Sequence, residues 1–324
     1  MLRTTAEVSE LIRSGSRLVL AGSEDALLRL PVGDWIAGTI PYFMTEEGGQ
    51  VRSDALFVTE LPSEVISTRI VAHTVETLPR IAEEAPENGF TFLILPANSD
   101  AHLHYAREAP DYPQMYLRPI VGWISGVHLA DLGRLTPKVV EGCTGRIYHD
   151  HAVAMHCSLA SDLRAHLGIV NLFQQGDGDI ITFPSDGFRA SECWINGKRQ
   201  VFAKYLAMHG IDTKLPLVAN YNGVMVNVSI QDVDQVLGHV HFYAPVFEGV
   251  AYKVAAPIAD YVDAFKHALP SGIMPLFSCN CILNFLYSQL EGRVTPGMTG
   301  PITFGEIAYQ LLNQTLVYLT IEKV

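Results

Sequence analysis

Short apolar runs of strand length, each closed by turn residues, recur along this chain and limit what it can fold into. Residues 17–22 (RLVLAG) and 90–96 (FTFLILP) are the clearest. Runs this short, bounded by glycine or proline, suit strands covered on both faces. Between them, residues 74–84 carry Val75, Leu78, Ile81 and Ala82 at helical spacing, which predicts a helix. Asp100 is placed to cap a helix running to about Glu108, where Pro110 stops it. Past Pro119 strand patterns dominate, at residues 152–159, 168–173, 179–183 and 224–230. Asn196-Gly197, between residues 192–195 and a short return, is the strongest hairpin signal in the chain. Helical spacing returns at 201–209 and 260–269. A strand at 273–278, a helix at 282–290 and a closing strand at 315–321 end the pattern. Interspersed strands, helices and hairpins predict an α+β fold, not a doubly wound parallel sheet. The expectation is two docked halves, residues 1–195 and 196–324, with mixed or antiparallel sheets packed against helices.

Composition decides between function classes. With 48% hydrophobic and 17% charged residues, a sizeable core is expected. A net charge of −12 lacks the basic footprint that phosphate neutralisation requires, so neither nucleic acid nor an anionic membrane is an expected partner. The first residues are polar, and Thr4 with Glu7 has capping-box spacing, so the segment predicts a helix rather than a signal peptide. No apolar run approaches the ~20 residues of a membrane span, and a cytoplasmic location is expected. Five scattered cysteines, Cys143, Cys157, Cys193, Cys279 and Cys281, fit a reducing compartment better than a disulfide framework.

The C-terminal third carries a family pattern. Phe277-Ser278-Cys279 is followed by Gly300-Pro301-Ile302-Thr303-Phe304-Gly305-Glu306-Ile307 and by Asn313-Gln314-Thr315. Upstream, Val246-Phe247-Glu248-Gly249-Val250 and Cys193-Trp194-Ile195-Asn196-Gly197-Lys198 extend the likeness. This order resembles the FIST family of ligand-sensing domains, with a match over most of the chain that is most specific in the last fifty residues. Two departures stand out. The Gly-Arg pair that follows the family's cysteine is replaced by Cys281-Ile282, and residues 40–42 read Ile-Pro-Tyr where relatives carry smaller residues. The resemblance implies a stand-alone sensory protein that binds a small ligand and signals to a partner such as a histidine kinase. Some members of that family bind haem b, so haem b is an implied cofactor.

The resemblance also selects candidate residues. The segments 37–43 and 299–305 share a glycine, small residues and an aromatic, as a pseudo-duplication would produce, and are expected to face one cavity. Thr39, Tyr42, Cys279, Thr303 and Glu306 are its candidate ligand-binding residues. Cys279 is expected at a strand-to-helix junction, where the positive helix end would favour a thiolate, with Cys281 diverging from it. The plainer reading is two small buried apolar residues. For a metal or haem, His239 with His241 and His149 with His151 each stand two apart and would share a strand face. Solvated or hydrogen-bonded histidines are the alternative. His156 has the opposite parity from His149 and His151, so these three would not converge from one strand. Glu306 is read either as a ligand-binding carboxylate or as a backbone cap, and Asn171, Asn222 and Asn227 as backbone partners. A cysteine- or haem-dependent enzyme acting on a small metabolite is the alternative function. No G-x-S-x-G elbow, Walker loop or G-x-G-x-x-G fingerprint occurs.

Overall fold

A computed structural model describes residues 1–221, 223–269 and 272–324; Asn222 lies outside them. The fold is α+β, with several mixed and antiparallel sheets packed against short helices. Its contacts divide into two units. One comprises Met1–Val170, Leu269–Leu311 and Leu316–Val324, the other Asn171–Ala268 and Leu312–Thr315. Neither boundary falls at 195/196. The hairpin at Asn196-Gly197 lies inside the second unit, and the chain after Ala268 returns to the first.

The first unit holds three six-stranded sheets. One orders Leu2–Arg3, Leu56–Glu60, Leu18–Gly22, Trp35–Thr39, Val139–Glu141 and Arg146–Tyr148. The helix Thr5–Arg13 begins at the predicted capping box: Thr4 accepts from the Glu7 N–H, and the Glu7 carboxylate accepts from the Thr4 N–H. It turns Val8 and Ile12 onto a core with Leu18, Leu20, Trp35 and Leu56. A second sheet includes, in order, Glu306–Ala308, Ile120–Ser125, Gly89–Pro96, Ala152–Leu159 and Val65–His73. Gly89–Pro96 is buried along its whole length, as its continuous apolar run requires. Gly122 on the neighbouring parallel strand admits no side chain, because a Cβ there would lie 1.7 Å from the Leu93 carbonyl oxygen. The third sheet orders Leu163–Val170, Leu316–Lys323, Phe277–Cys281, Gly300–Thr303, Tyr42–Thr45 and Gly48–Val51.

The second unit is built on a six-stranded sheet that includes Glu192–Ile195, Lys198–Val201 and Leu217–Tyr221, and on a three-stranded sheet of Gly187–Ala190, His239–Val246 and Ile230–Asp234. Asn196 and Gly197 take φ of 49° and 79°, the left-handed pair that a two-residue hairpin requires. The helix Phe202–Met208 buries Phe202 against Phe183 and Phe242. Phe183 meets Phe202, Phe242 and Tyr252 edge to face with centroids 5.3–5.7 Å apart, worth about 0.5–1.5 kcal/mol per pair beyond burial.

Two local expectations fail for identifiable reasons. Residues 74–84 form only the single 3₁₀ turn Leu78–Arg80, because Pro79 has no N–H to continue a helix. The expected junction at Cys279 lies further on. Phe277–Cys281 is a strand throughout, and the short helix Ile282–Tyr287 starts only after Cys281. No helix among the described residues is long and apolar enough to cross a membrane.

Candidate functional site

The two similar segments meet within the first unit. Tyr42–Thr45 pairs antiparallel with Gly300–Thr303, Gly300 standing opposite Met44 and Pro301 opposite Phe43. Thr303 and Glu306 are fully buried. The Thr303 hydroxyl lies 3.1 Å from the Gly305 carbonyl oxygen, 3.3 Å from Glu306 Oε1 and 3.4 Å from the Asn280 carbonyl oxygen. The Cys279 thiol donates to the Gly122 carbonyl at 3.4 Å. Burial first, and then the Glu306 carboxylate, push this thiol well above its ordinary pKa. That is the reverse of the expected thiolate: Cys279 stands inside a strand, so no helix end acts on it. Cys281 does not diverge as a helical residue would, since the two share one strand and its parity.

Thr39 and Tyr42 are buried and spend their hydroxyls locally. Thr39 Oγ1 accepts from the Lys138 N–H at 2.9 Å, and the Tyr42 hydroxyl accepts from the Leu129 N–H at 3.0 Å. The cavities described in the first unit, of about 390 and 290 Å³, are lined by other residues.

The proposed histidine pairs separate. His149 and His151 fall in the bend after Arg146–Tyr148 rather than on a strand, so strand parity does not align them. His151 bonds Asp150 at 2.7 Å and stacks on Tyr148. His239 and His241 do share a face of one strand in the second unit, with ring centroids 6.5 Å apart. His239 Nδ1 is engaged by the Ser191 hydroxyl at 2.6 Å, and His241 Nδ1 lies 3.9 Å from Asp232 Oδ2.

A different constellation forms in the first unit from residues far apart in sequence. In the antiparallel ladder of Val65–His73 with Ala152–Leu159, His73 stands opposite Ala152 and His156 opposite Arg69. Opposed residues project from the same face, and so do residues two apart, so His73, Arg69 and His156 share one side of the sheet. Thr91, opposite His156 on Gly89–Pro96, joins them. Glu84, on the segment after the Leu78–Arg80 turn, approaches this face. One ligand atom from each of His73, Glu84 and His156 lies within 4.8 Å of the other two.

The two imidazoles are 1% and 3% exposed, yet three of their four nitrogens lack hydrogen bonds among the described residues: His73 Nδ1, His73 Nε2 and His156 Nε2. The Thr77 backbone is near enough to favour a charged His73 without bonding it in acceptable geometry. An unsatisfied buried polar atom costs about 1–3 kcal/mol, so three in one cluster call for a physical explanation. The fourth nitrogen, His156 Nδ1, meets the buried Thr91 hydroxyl at 2.8 Å. Donation from Nδ1 to that hydroxyl would leave an Nε2 lone pair facing the cluster, the arrangement of a metal-binding histidine with its second nitrogen anchored. Burial lowers the pKa of both rings. For His156 it acts together with Arg69 and then His73 to bring the value to about 3, while for His73 the Glu84 carboxylate offsets part of the effect. Both imidazoles are therefore neutral at pH 7, as ligation requires.

Two histidines and a carboxylate form a known donor set for zinc with an open position, or for non-haem iron. A tetrahedral ion at about 2.0–2.1 Å would hold its ligand atoms about 3.3 Å apart, so a pair at the 4.8 Å limit would have to close by about 1.5 Å. Glu84 supplies the give, because its side chain is 20% exposed and held by two loose ion pairs, to Arg69 at 3.4 Å and Arg80 at 3.3 Å.

Sequence reasoning missed this centre. His156 was set aside on a parity argument confined to its own strand, and no local pattern joins residues 73, 84 and 156. The family described as "Family of unknown function (DUF6976)" has a model that matches residues 3–322. No curated protein matches the chain.

Proposed function

As a member of the DUF6976 family, this protein is, we propose, a small-ligand-binding protein whose ligand is taken up at a divalent transition-metal centre held by His73, His156 and Glu84. The observation that carries the reading is the pair of buried, neutral imidazoles with three unsatisfied nitrogens beside a carboxylate. A three-ligand set of this kind leaves one or more coordination positions for a small molecule. Binding, rather than thiol catalysis, is favoured by Cys279, whose raised pKa and complete burial remove the nucleophile of the alternative enzyme. The sensory role implied by the FIST resemblance, with signalling to a partner such as a histidine kinase, is retained as the biological setting of this proposal.

The test is a titration of the metal-free full chain with Co²⁺ and Zn²⁺, following the visible cobalt bands and competing zinc against a chromophoric chelator. One equivalent per chain is expected, with binding lost in His156→Ala. Absence of stoichiometric binding would sink the proposal. The same samples probe the haem b expectation. A Soret band from added haem that disappears in His241→Ala would move the centre to the second unit.

A further inference from the structure

Two guanidinium groups flank the candidate centre, and their geometry bears on what could complete it. Arg69 Nη1 lies 3.4 Å from Glu84 Oε2, and Arg69 Nη2 donates to the Glu84 carbonyl at 2.7 Å. Arg80 Nη2 lies 3.3 Å from Glu84 Oε1. Both contacts are longer than the 2.7–2.9 Å of a tight guanidinium–carboxylate bond. The two arginine side chains are 51% and 64% exposed, so each keeps donors on its solvent side. Five N–H donors per guanidinium far exceed what one carboxylate shared between two arginines uses.

The charge balance points the same way. A ligating imidazole carries no charge, so the side chains around the ion, Arg69, Arg80 and Glu84, sum to one positive charge. A dication raises that to about three in a site whose imidazoles are buried, and the ion becomes the largest local charge. Ligation also draws density from Glu84, weakening its hold on the arginines. A neutral ligand would leave this excess uncompensated, whereas an anionic oxygen ligand would offset it and engage the planar donor forks.

We infer that the ligand of the His73–Glu84–His156 centre is a small oxyanion, a carboxylate or a phosphate, whose oxygen occupies the open metal position while Arg69 and Arg80 hold its remaining oxygens. This inference rests on the metal reading of the site. Arg69 and Arg80 are positioning residues for the anion and not metal ligands. Their side chains approach from the exposed side, Arg69 from the same sheet face as the histidines and Arg80 from the 3₁₀ turn.

The experiment uses the full chain loaded with Co²⁺, with sodium acetate and sodium phosphate titrated separately at constant ionic strength. Saturable change in the cobalt bands is expected with at least one of them, and the tighter anion identifies the ligand chemistry. In Arg69→Gln/Arg80→Gln, cobalt should bind within about threefold of the parent or more tightly, because a competitor for Glu84 is removed, while anion affinity falls at least about tenfold. Arg80→Gln alone, at the more exposed position, provides the readout if the double variant is poorly folded, and should lose about half of that effect on a logarithmic scale. Cobalt binding with no response to either anion, or unchanged anion affinity in the arginine variants, overturns the ligand class and leaves the metal centre standing. Failure of the parent chain to bind cobalt overturns both.

Discussion

Two pairs of histidines on β-sheets, one in each unit, show how differently the same residue type can be used. His239 and His241 are neighbours on one strand, and the sequence displays them at once. His239 Nδ1 meets the Ser191 hydroxyl at 2.6 Å, whereas His241 Nδ1 lies 3.9 Å from Asp232 and its side chain is 40% exposed. His73 and His156 come from two strands and are almost fully buried. They meet through cross-strand register, with three nitrogens unsatisfied and a carboxylate alongside. Spacing within a strand thus identified a pair in which His239 is satisfied by a neighbour and His241 is open to water. The pair with unmet needs lay across the ladder.

Metal affinity gives the largest expected contrast. Removing either imidazole of the first pair, as His73→Ala or His156→Ala, should weaken Co²⁺ or Zn²⁺ binding by at least about a hundredfold, since a three-ligand site becomes a two-ligand one. His239→Ala and His241→Ala should leave it within about threefold. Comparable losses in both sets would erase the contrast.

The pH dependence of stability comes next. His156 falls from the usual 6.5 to about 3 on folding, and burial lowers His73 as well. Because the unfolded chain takes up these protons first, their contribution is complete above about pH 6.5 and declines as pH drops toward 3. Between pH 6.5 and 5, where ordinary carboxylates remain ionised, the loss is due to buried histidines, His102 at about 4 included, and to the Met1 ammonium, which burial lowers to about 6. Denaturant melts of the metal-free protein should show falling stability across that window, and His156→Asn should flatten part of the slope. An unchanged slope in the variant would mean that His156 is not held neutral by the fold.

Thr91→Val should act more gently, lowering metal affinity about 10–100-fold by releasing the anchor on His156 Nδ1 while keeping the side-chain volume. A general packing defect would lower the melting temperature of the metal-free protein without this selective effect.

Much of the fold was legible because it is written locally. The strand Ala152–Leu159 has the bounds its apolar pattern predicts, and the Thr4–Glu7 capping box and the Asn196-Gly197 turn form as their side chains and φ preferences dictate. The helix expected over residues 74–84 failed where one backbone constraint, Pro79, outweighed an apolar period. The order of strands within each sheet was not legible, because it depends on contacts between distant segments. The His73, Glu84 and His156 cluster was illegible for the same reason. Thr303, Glu306 and Cys279, picked out by a pattern confined to one stretch of chain, lie close together with the character of a packed polar core. His73 and Glu84 attracted no notice, since nothing within ten residues of either marks them as ligands.

The smallest expected effect tests the other side of the comparison. Ser191→Ala removes the hydroxyl that meets His239 Nδ1 at 2.6 Å. A hydrogen bond of this kind contributes about 0.5–1.5 kcal/mol net. His239 is only half-buried, so water can satisfy the nitrogen once the hydroxyl is gone, and the lower end of that range applies. The variant should lose less than about 1 kcal/mol, a shift in melting temperature below about 4 °C for a domain of this size. Its cobalt affinity should match the parent's. If it instead lost metal together with several kcal/mol, Ser191 would be anchoring a ligand as Thr91 is argued to do, and His239 with His241 would replace His73 with His156 as the centre.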